Sequence, residues 1–568
     1  MCRRHVCLVK IRWWALPTSE RMIIMKKLLS FLLVFAVLFV SNAFIAYADN
    51  GATCYYIDSI DGDDANSGTS ADNAVKSIAG LKDLNIGPGT HFFFRSGGEY
   101  ECAVTLTCSG TKENPVVITS YGEGERPLLY TDANTEVFRL FDCNYVTVSN
   151  IHIKAPHGGG IWVDALEDTS VGITLENILF TDMQNYKVTS RDDFSRGAAA
   201  ARAAVMVKGL PARSRYAVND LTVTGCEVYN CANGVMLWGS WNDEQMPWCE
   251  EEDIDPIFNT GILVEDCYFH EMDAEAVVVG ICDGALVTNC RSINCCQGVG
   301  LDENGGIQYF TAAMWFWGSI NSTIQYCEIA GQKNFGDGMA VDFDSFSHNC
   351  TYQYIYSHDN VRFMCNCPNH SGQHNNTVRY CLSVNDNVGR SRLSANPGEH
   401  NISFYNNTIV NCGDFQLLDM YDSLIVNNII IPKDGCFVAY DVWDLHKDGN
   451  IIGNNCYYGC EPPLIDLGSM NTVPGFVGTD YSDPESFKLS ADSPLIGAGY
   501  NVEGCDAPHD FYGNEIVSNN IGCYMGEGED VPYEGEGFFT KIFRICRSIF
   551  MRIIYEMKNF LEDWGVQI

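Results

Sequence analysis

A short pattern, apolar-x-x-Z-x-apolar, returns along most of this chain and fixes what it can fold into. The marker Z falls on Ile151, Ile178, Cys226, Cys267, Cys290, Cys327, Ile355, Cys381, Asn407, Asn428 and Asn455. From Cys327 onward, successive markers stand 28, 26, 26, 21 and 27 residues apart. A period of this length is the mark of a solenoid, in which each repeat buries its apolar face only by stacking on its neighbours. Alternating apolar and polar residues, 52 glycines and the lack of long amphipathic helices between residues 99 and 470 make the repeats strands joined by turns. Leucine-rich repeats would need an L-x-x-L-x-L framework, which is missing. Two wider gaps, 48 residues before Cys226 and 41 before Cys267, hold either a degenerate extra rung or loop insertions such as 189–216 and 240–260.

The repeat changes how the composition is read. The 26 cysteines of a chain with an export signal ordinarily suggest a disulfide scaffold. Here Cys226, Cys267, Cys290, Cys327 and Cys381 occupy one equivalent position, so they form a column of small buried thiols. Surface bridges through Cys295, Cys296, Cys365 or Cys367 remain open. With Lys+Arg 35 against Asp+Glu 72, the net charge is -37. That field repels nucleic acid and anionic lipid from the main body, leaving glycans as the natural partner class.

The N-terminus reads as a leader. Met25-Lys26-Lys27 precedes the apolar run LLSFLLVFAVLFV and the small-x-small site Ala46-Tyr47-Ala48. This predicts export, with residues 1–48 removed and the mature chain secreted or held at the cell surface. An entry cap is expected over 49–98, with a strand at Cys54–Ile57, an Asp/Gly loop at 61–69 and a short helix over 75–84. The tail differs from all of this. After an acidic linker (527–537), residues 538–568 place Phe539, Ile542, Phe543, Ile545, Ile549, Phe550, Ile553 and Ile554 among Lys541, Arg544, Arg547, Arg552 and Lys558. That periodicity predicts an amphipathic helix suited to an envelope or membrane-surface contact, to self-association, or to folding back on the acidic body.

Several stretches resemble the exported right-handed parallel β-helix proteins of the pectate-lyase-like superfamily. At the start these are Tyr56-Ile57-Asp58, Gly62-Asp63-Asp64, Gly68-Thr69, Pro88-Gly89-Thr90 and Gly98-Glu99-Tyr100. At the end they are Ser493-Pro494-Leu495-Ile496-Gly497, Asp510 to Asn514 and Ile521-Gly522. The resemblance implies an all-β solenoid over 99–470 with a closing segment over 471–526 that covers the last rung. It also implies that Asn407, Asn428 and Asn455 form the asparagine ladder known from such turns. The superfamily hosts hydrolases, lyases, epimerases and adhesins, so the fold alone selects no activity.

The chemistry concentrates in Gly336–Asn360. Met339, Val341 and Phe343 alternate with Asp342 and Asp344, which places two carboxylates about 6–7 Å apart on the outer face of a strand. Aligning Met314 and Phe316 with Val341 and Phe343 sets Trp315 and Trp317 beside them, with Trp238 further back. On the other side the expected outward residues are Met364 and Asn366, then Arg390 and Arg392. Asp302, Glu303 and Asp337 lie in flanking turns, and His358 and Asp359 close the same rung. In a glycosidase, Asp342, Asp344, Glu303 and His358 are the catalytic candidates. The Trp residues, Asp337, Asp359, Arg390 and Arg392 would bind sugar. In a uronate lyase, Asp342 and Asp344 would instead hold Ca²⁺, with an Arg near the proton to be removed. A glycan-binding or adhesive solenoid is the third reading, with these charges merely solvated. Hydrolase ranks first, because no dense cage of acids is present; no cofactor other than Ca²⁺ is suggested.

Overall fold

The computed structural model describes residues 52–81, 84–183, 202–208, 216–241, 256–297, 311–333, 338–366, 373–394, 401–418, 422–440 and 449–529. The leader and the C-terminal amphipathic segment lie outside them. The described chain winds into a coil of three parallel sheets: sheet I with 15 strands, sheet II with 13 and sheet III with 12. One turn of the coil visits the three in order. Thr323–Gln325 lies in sheet I, Glu328–Ala330 in sheet II and Met339–Phe343 in sheet III, and Thr351–Gln353 returns to sheet I. This is the parallel β-helix that the repeat requires.

The marker is the second residue of the bend between sheets I and II. In all eleven repeats the residue before it has positive φ: Asn150, Asn177, Gly225, Asp266, Asn289, Tyr326, Tyr354, Tyr380, Asn406, Asn427 and Asn454. A two-residue corner between strands needs a left-handed residue, and Asn, Asp and Gly take that conformation most cheaply. Behind the corner the marker points into the core. Cys226, Cys267, Cys290 and Cys327 are buried thiols there, and the last three donate to the carbonyls of Glu265, Thr288 and Gln325 at 3.2, 3.3 and 3.1 Å. Burial pushes the Cys381 thiol up to about 12, which keeps it protonated and inert. At the C-terminal end the column turns polar. The Asn428 side-chain oxygen accepts from Asn407 N and Nδ2 at 3.0 Å, and that of Asn455 accepts from Asn428 N at 2.8 Å and Nδ2 at 2.9 Å. The asparagine ladder is present.

Neither wide gap holds an extra rung. Thr174 pairs directly with Thr222, and Thr222 with Leu263. The additional residues leave from the flanks of single rungs, and at one of them Ser240–Trp241 pairs antiparallel with Pro256–Ile257.

Two expectations need correction. In place of a helix over 75–84 there are short 3₁₀ turns at Ala71–Asn73 and Ile78–Gly80. Val75 is drawn into a bridge with Ile57, and the Asp64 carboxylate takes the Lys76 and Ser77 amides at 2.9 and 2.8 Å, so the backbone bonds of a helix are already spent. The closing segment also does more than cover the last rung. It runs back along the corner column, where the chain departs from Asn to Tyr326, Tyr354 and Tyr380. A tyrosine in the left-handed region costs about 1–2 kcal/mol. Stacking offsets that cost: Tyr326 lies 4.8 Å from Tyr354, and Tyr354 lies 4.6 Å from His509. Tyr326 Oη meets His509 Nε2 at 2.7 Å, and Arg379 pairs with Asp506 at 2.6 Å.

Candidate active site

Sheet III positions the outer strip. Its register pairs Met314 with Val341, Trp315 with Asp342 and Phe316 with Phe343, while the Asp344 amide donates to Phe316 O at 3.0 Å. Met314, Val341, Phe316 and Phe343 fill the lumen, fully buried. Alternation therefore sends Trp315, Trp317, Asp342 and Asp344 to the outer face. Asp342 is only 8% exposed and sits in one row between Trp315 and Cys365. Asp344 is half-buried, and its Oδ1 accepts from Ser345 N at 2.7 Å and Ser345 Oγ at 3.0 Å, which fixes the carboxylate's orientation.

The row continues in both directions. Toward the C-terminus Cys365 pairs with Arg392, then Arg392 with Gln416. The expectation that Met364 faces outward is overturned, for it pairs with Val341 and is fully buried, while the Asn366 side chain lies outside the described residues. The run Val361 to Cys365 is apolar on both parities apart from Arg362, so the sequence offers no alternation from which to set the register. Arg390 lies on the strip's margin, 3.7 Å from Asp414.

Toward the N-terminus the surface is aromatic. Trp238 pairs with Gly280, and Gly280 with Trp317, so glycine separates two tryptophans. The rings meet edge-on at 5.5 Å across it. A Cβ at Gly280 would stand 2.4 Å from the Trp238 ring and 2.7 Å from the Leu237 carbonyl, so only glycine permits this contact. Trp238 lies 6.4 Å from Trp315, also edge-on. The indole N–H groups of Trp238 and Trp315 are buried without an acceptor among the described residues.

Sequence reading missed the far end of this strip. Trp162 leads its row through Met206, Met236 and Val278 to Trp315. Beside it Arg139 covers the Trp162 ring at 5.3 Å and grips the Asp164 carboxylate at 2.5 Å. Burial raises the Asp164 carboxyl above its ordinary value despite Arg139, and lowers buried Lys208 to about 8. The alternation Ile161-Trp162-Val163-Asp164 was the available signal, but the 48-residue gap hid its register with the later rungs.

His358 and Asp359 are not brought to the carboxylate strand. They lie on sheet II, where His358 Nδ1 meets Asp359 at 2.8 Å and Nε2 meets Glu328 at 3.3 Å. Glu328 also pairs with Arg291 at 2.6 Å. Burial alone would lower the His358 value, but Glu328 and Asp359 outweigh it and leave it raised; Glu328, bonded to His358 and Arg291, falls to about 2. The signs set a pH window. The raised His358 contributes fully below about 6.5 and loses its contribution as pH rises through its folded value. The depressed Glu328 contributes above about 4.3 and loses it as pH falls toward 2. Glu328→Gln is expected to cost about 1 kcal/mol near pH 5.5, less at pH 9 and least below pH 3, as read by urea unfolding across pH.

Glu303 and Asp337 lie outside the described residues, and so does the Arg392 side chain. Among the described residues no group of three or more His, Cys, Asp or Glu is placed to hold a metal ion. Calcium takes six to eight oxygen ligands. Trp315 and Cys365, which flank Asp342 in its row, offer none.

Fold and strip together define the class: a parallel β-helix that carries tryptophans and paired carboxylates along one sheet. No family model matches the chain. It is similar to the lacto-N-biosidase of Bifidobacterium longum subsp. longum, with 24% identity over 517 residues covering 75% of this chain and 32% of that protein. The chain thus spans about a third of the length of that curated relative. Among solved structures it is similar to the GH136 lacto-N-biosidase of Eubacterium ramulus, with TM-score 0.46, 21% identity and coverage of 62% of this chain and 64% of that one. It is also similar to pectate lyase Pel9A, with TM-score 0.40, 13% identity and coverage of 85% and 96%.

Proposed function

We propose that the chain is a glycoside hydrolase whose substrate, an oligosaccharide or the end of a polysaccharide, lies along sheet III. The observation that carries this reading is the pairing of Trp315 with Asp342, and of Trp317's position with Asp344, on one outer face. Sugars stack their C–H faces on indole rings, and the half-buried Trp315 beside Asp342 is the ring placed to do so. Of the two carboxyl groups, one donates a proton to the glycosidic oxygen as the C–O bond breaks. The other attacks the anomeric carbon or activates the incoming water. Glu303 and Asp337, which precede the two strands in sequence, are further candidates for either part. The similarity to a lacto-N-biosidase supports a glycosidase and suggests a lacto-N-bioside as the first substrate to try.

Lyase chemistry is the second reading, and one observation favours it: Arg392 shares the row of Asp342, two strands away, or about 10 Å. Export through residues 25–48, and an envelope or membrane-surface contact through residues 538–568, belong to the same proposal and rest on the sequence alone.

The test incubates purified protein with lacto-N-biosides and a panel of plant and mucosal glycans, with and without chelator. Reducing ends and the ultraviolet absorbance of unsaturated uronates are followed together. New reducing ends without absorbance, indifferent to chelator, are the expected result. Absorbance that chelator abolishes makes the protein a lyase, and glycan binding with silence in both channels makes it a binding solenoid.

A further inference from the structure

The inner column of sheet I that passes beneath the carboxylate strand is apolar from rung to rung, with one interruption. Val264, Val287 and Ile324 precede Tyr352, and Val378, Phe404 and Ile425 follow it, each paired with the next. Tyr352 is completely buried. A hydroxyl in such a column costs free energy unless it is bonded, and a phenylalanine of nearly the same shape would avoid the cost. Breaks in a regular pattern tend to mark function.

The hydroxyl is bonded, across the lumen, to the strands that carry the outer strip. Tyr352 Oη donates to Asp342 O at 2.6 Å and also lies 3.3 Å from Met314 O. Its ring packs 5.0 Å from Phe316 and 4.7 Å from Phe343, whose neighbours in sequence are Trp315, Trp317, Asp342 and Asp344. A second inward side chain completes the hold. Gln373, also buried, donates from Nε2 to Phe343 O at 3.0 Å. The carbonyls of two successive residues, Asp342 and Phe343, are thus caught from inside by different turns of the chain.

We propose that Tyr352 and Gln373 are positioning residues, which hold the backbone between the two candidate carboxylates from the lumen side and so set their placement on the outer face. The inference rests on the hydrolase reading. A displacement of about 1 Å at a reacting group is enough to lower a rate about a hundredfold.

The experiment compares wild-type protein, Tyr352→Phe, Gln373→Met and a control, Phe404→Leu. The control alters the same inner column two rungs on, away from the carboxylate strand. For each, kcat, KM, the pH dependence of kcat and the melting temperature are measured on the glycan that wild type hydrolyses. The expected result is a fall in kcat of at least tenfold for Tyr352→Phe, a smaller fall for Gln373→Met, KM within about twofold and a displaced acidic limb of the pH profile. Phe404→Leu should melt earlier yet keep kcat and its pH profile. Unchanged kcat in folded Tyr352→Phe overturns the inference, as does a loss in all three variants that follows melting temperature alone. If Tyr352→Phe does not fold, Gln373→Met decides by the same criteria. A wild-type protein that hydrolyses nothing overturns the hydrolase reading itself, and the inference with it.

Discussion

Asp342→Asn and Asp344→Asn are each expected to lower kcat for the release of reducing ends by about 10²–10⁴-fold, with KM and melting temperature nearly unchanged. The substitutions remove one ionisable oxygen each and leave shape and alternation intact. Asp344 then keeps an acceptor for the Ser345 amide, and Asp342 stays between Trp315 and Cys365. The control comes from the second sheet. Asp359→Asn, beside His358 on sheet II, is expected to leave kcat within about twofold, because it faces away from the strip. If Asp359→Asn lowers kcat as much as Asp342→Asn does, the strip on sheet III is not where the chemistry occurs.

The second large effect concerns the ladder. Asn428→Ala is expected to destabilise the protein by roughly 3–5 kcal/mol in urea unfolding. The Asn428 amide accepts two bonds from Asn407 and donates to Phe404 O at 2.9 Å and Val426 O at 3.0 Å, all in the buried interior. Alanine strands at least two of these partners without water, at about 1–3 kcal/mol each. Cys290→Ala, five positions back in the same column, is expected to cost only about 1 kcal/mol, since it loses little more than a weak thiol bond. Equal costs at the two positions would contradict the view that the column changes from packing to hydrogen bonding along its length.

Much of the fold was legible because one requirement repeats in every rung. The left-handed corner residue and its buried marker recur at Asn150-Ile151, Asp266-Cys267 and Asn454-Asn455 alike, so eleven weak signals add. The pairing of Trp315 with Asp342 was legible for a related reason: Met314-x-Phe316 and Val341-x-Phe343 share one inward pattern. Where that pattern failed, the reading failed. At Met364 both faces are apolar, and the register slipped by one. His358 went to a different sheet because two bends, one with Phe346 and Asn349 at positive φ and one at Tyr354, separate it from the strand that ends at Phe343. The Arg139–Asp164 pair and Lys208 were invisible for another reason. Arg139 and Asp164 meet only when neighbouring rungs, 25 residues apart, are set in register, and Lys208 lies on the next rung beyond an insertion, so no local pattern shows the contact. Tyr352 read as one more aromatic residue in the stack, since the sequence shows a ring without showing what its hydroxyl reaches.

The clasp of His509 onto Tyr326 and Tyr354 has a consequence for how the coil comes apart. A plain solenoid is held by nearest neighbours and frays inward from its ends, one turn at a time. Here residues 183 apart in sequence are joined, with the Arg379–Asp506 pair fastening the turn between. The final rungs are thereby enclosed between the middle of the coil and the returning chain, and cannot peel away singly. Unfolding from that end becomes a single cooperative event, and the turn that bears Asp342 lies within the unit that opens in it.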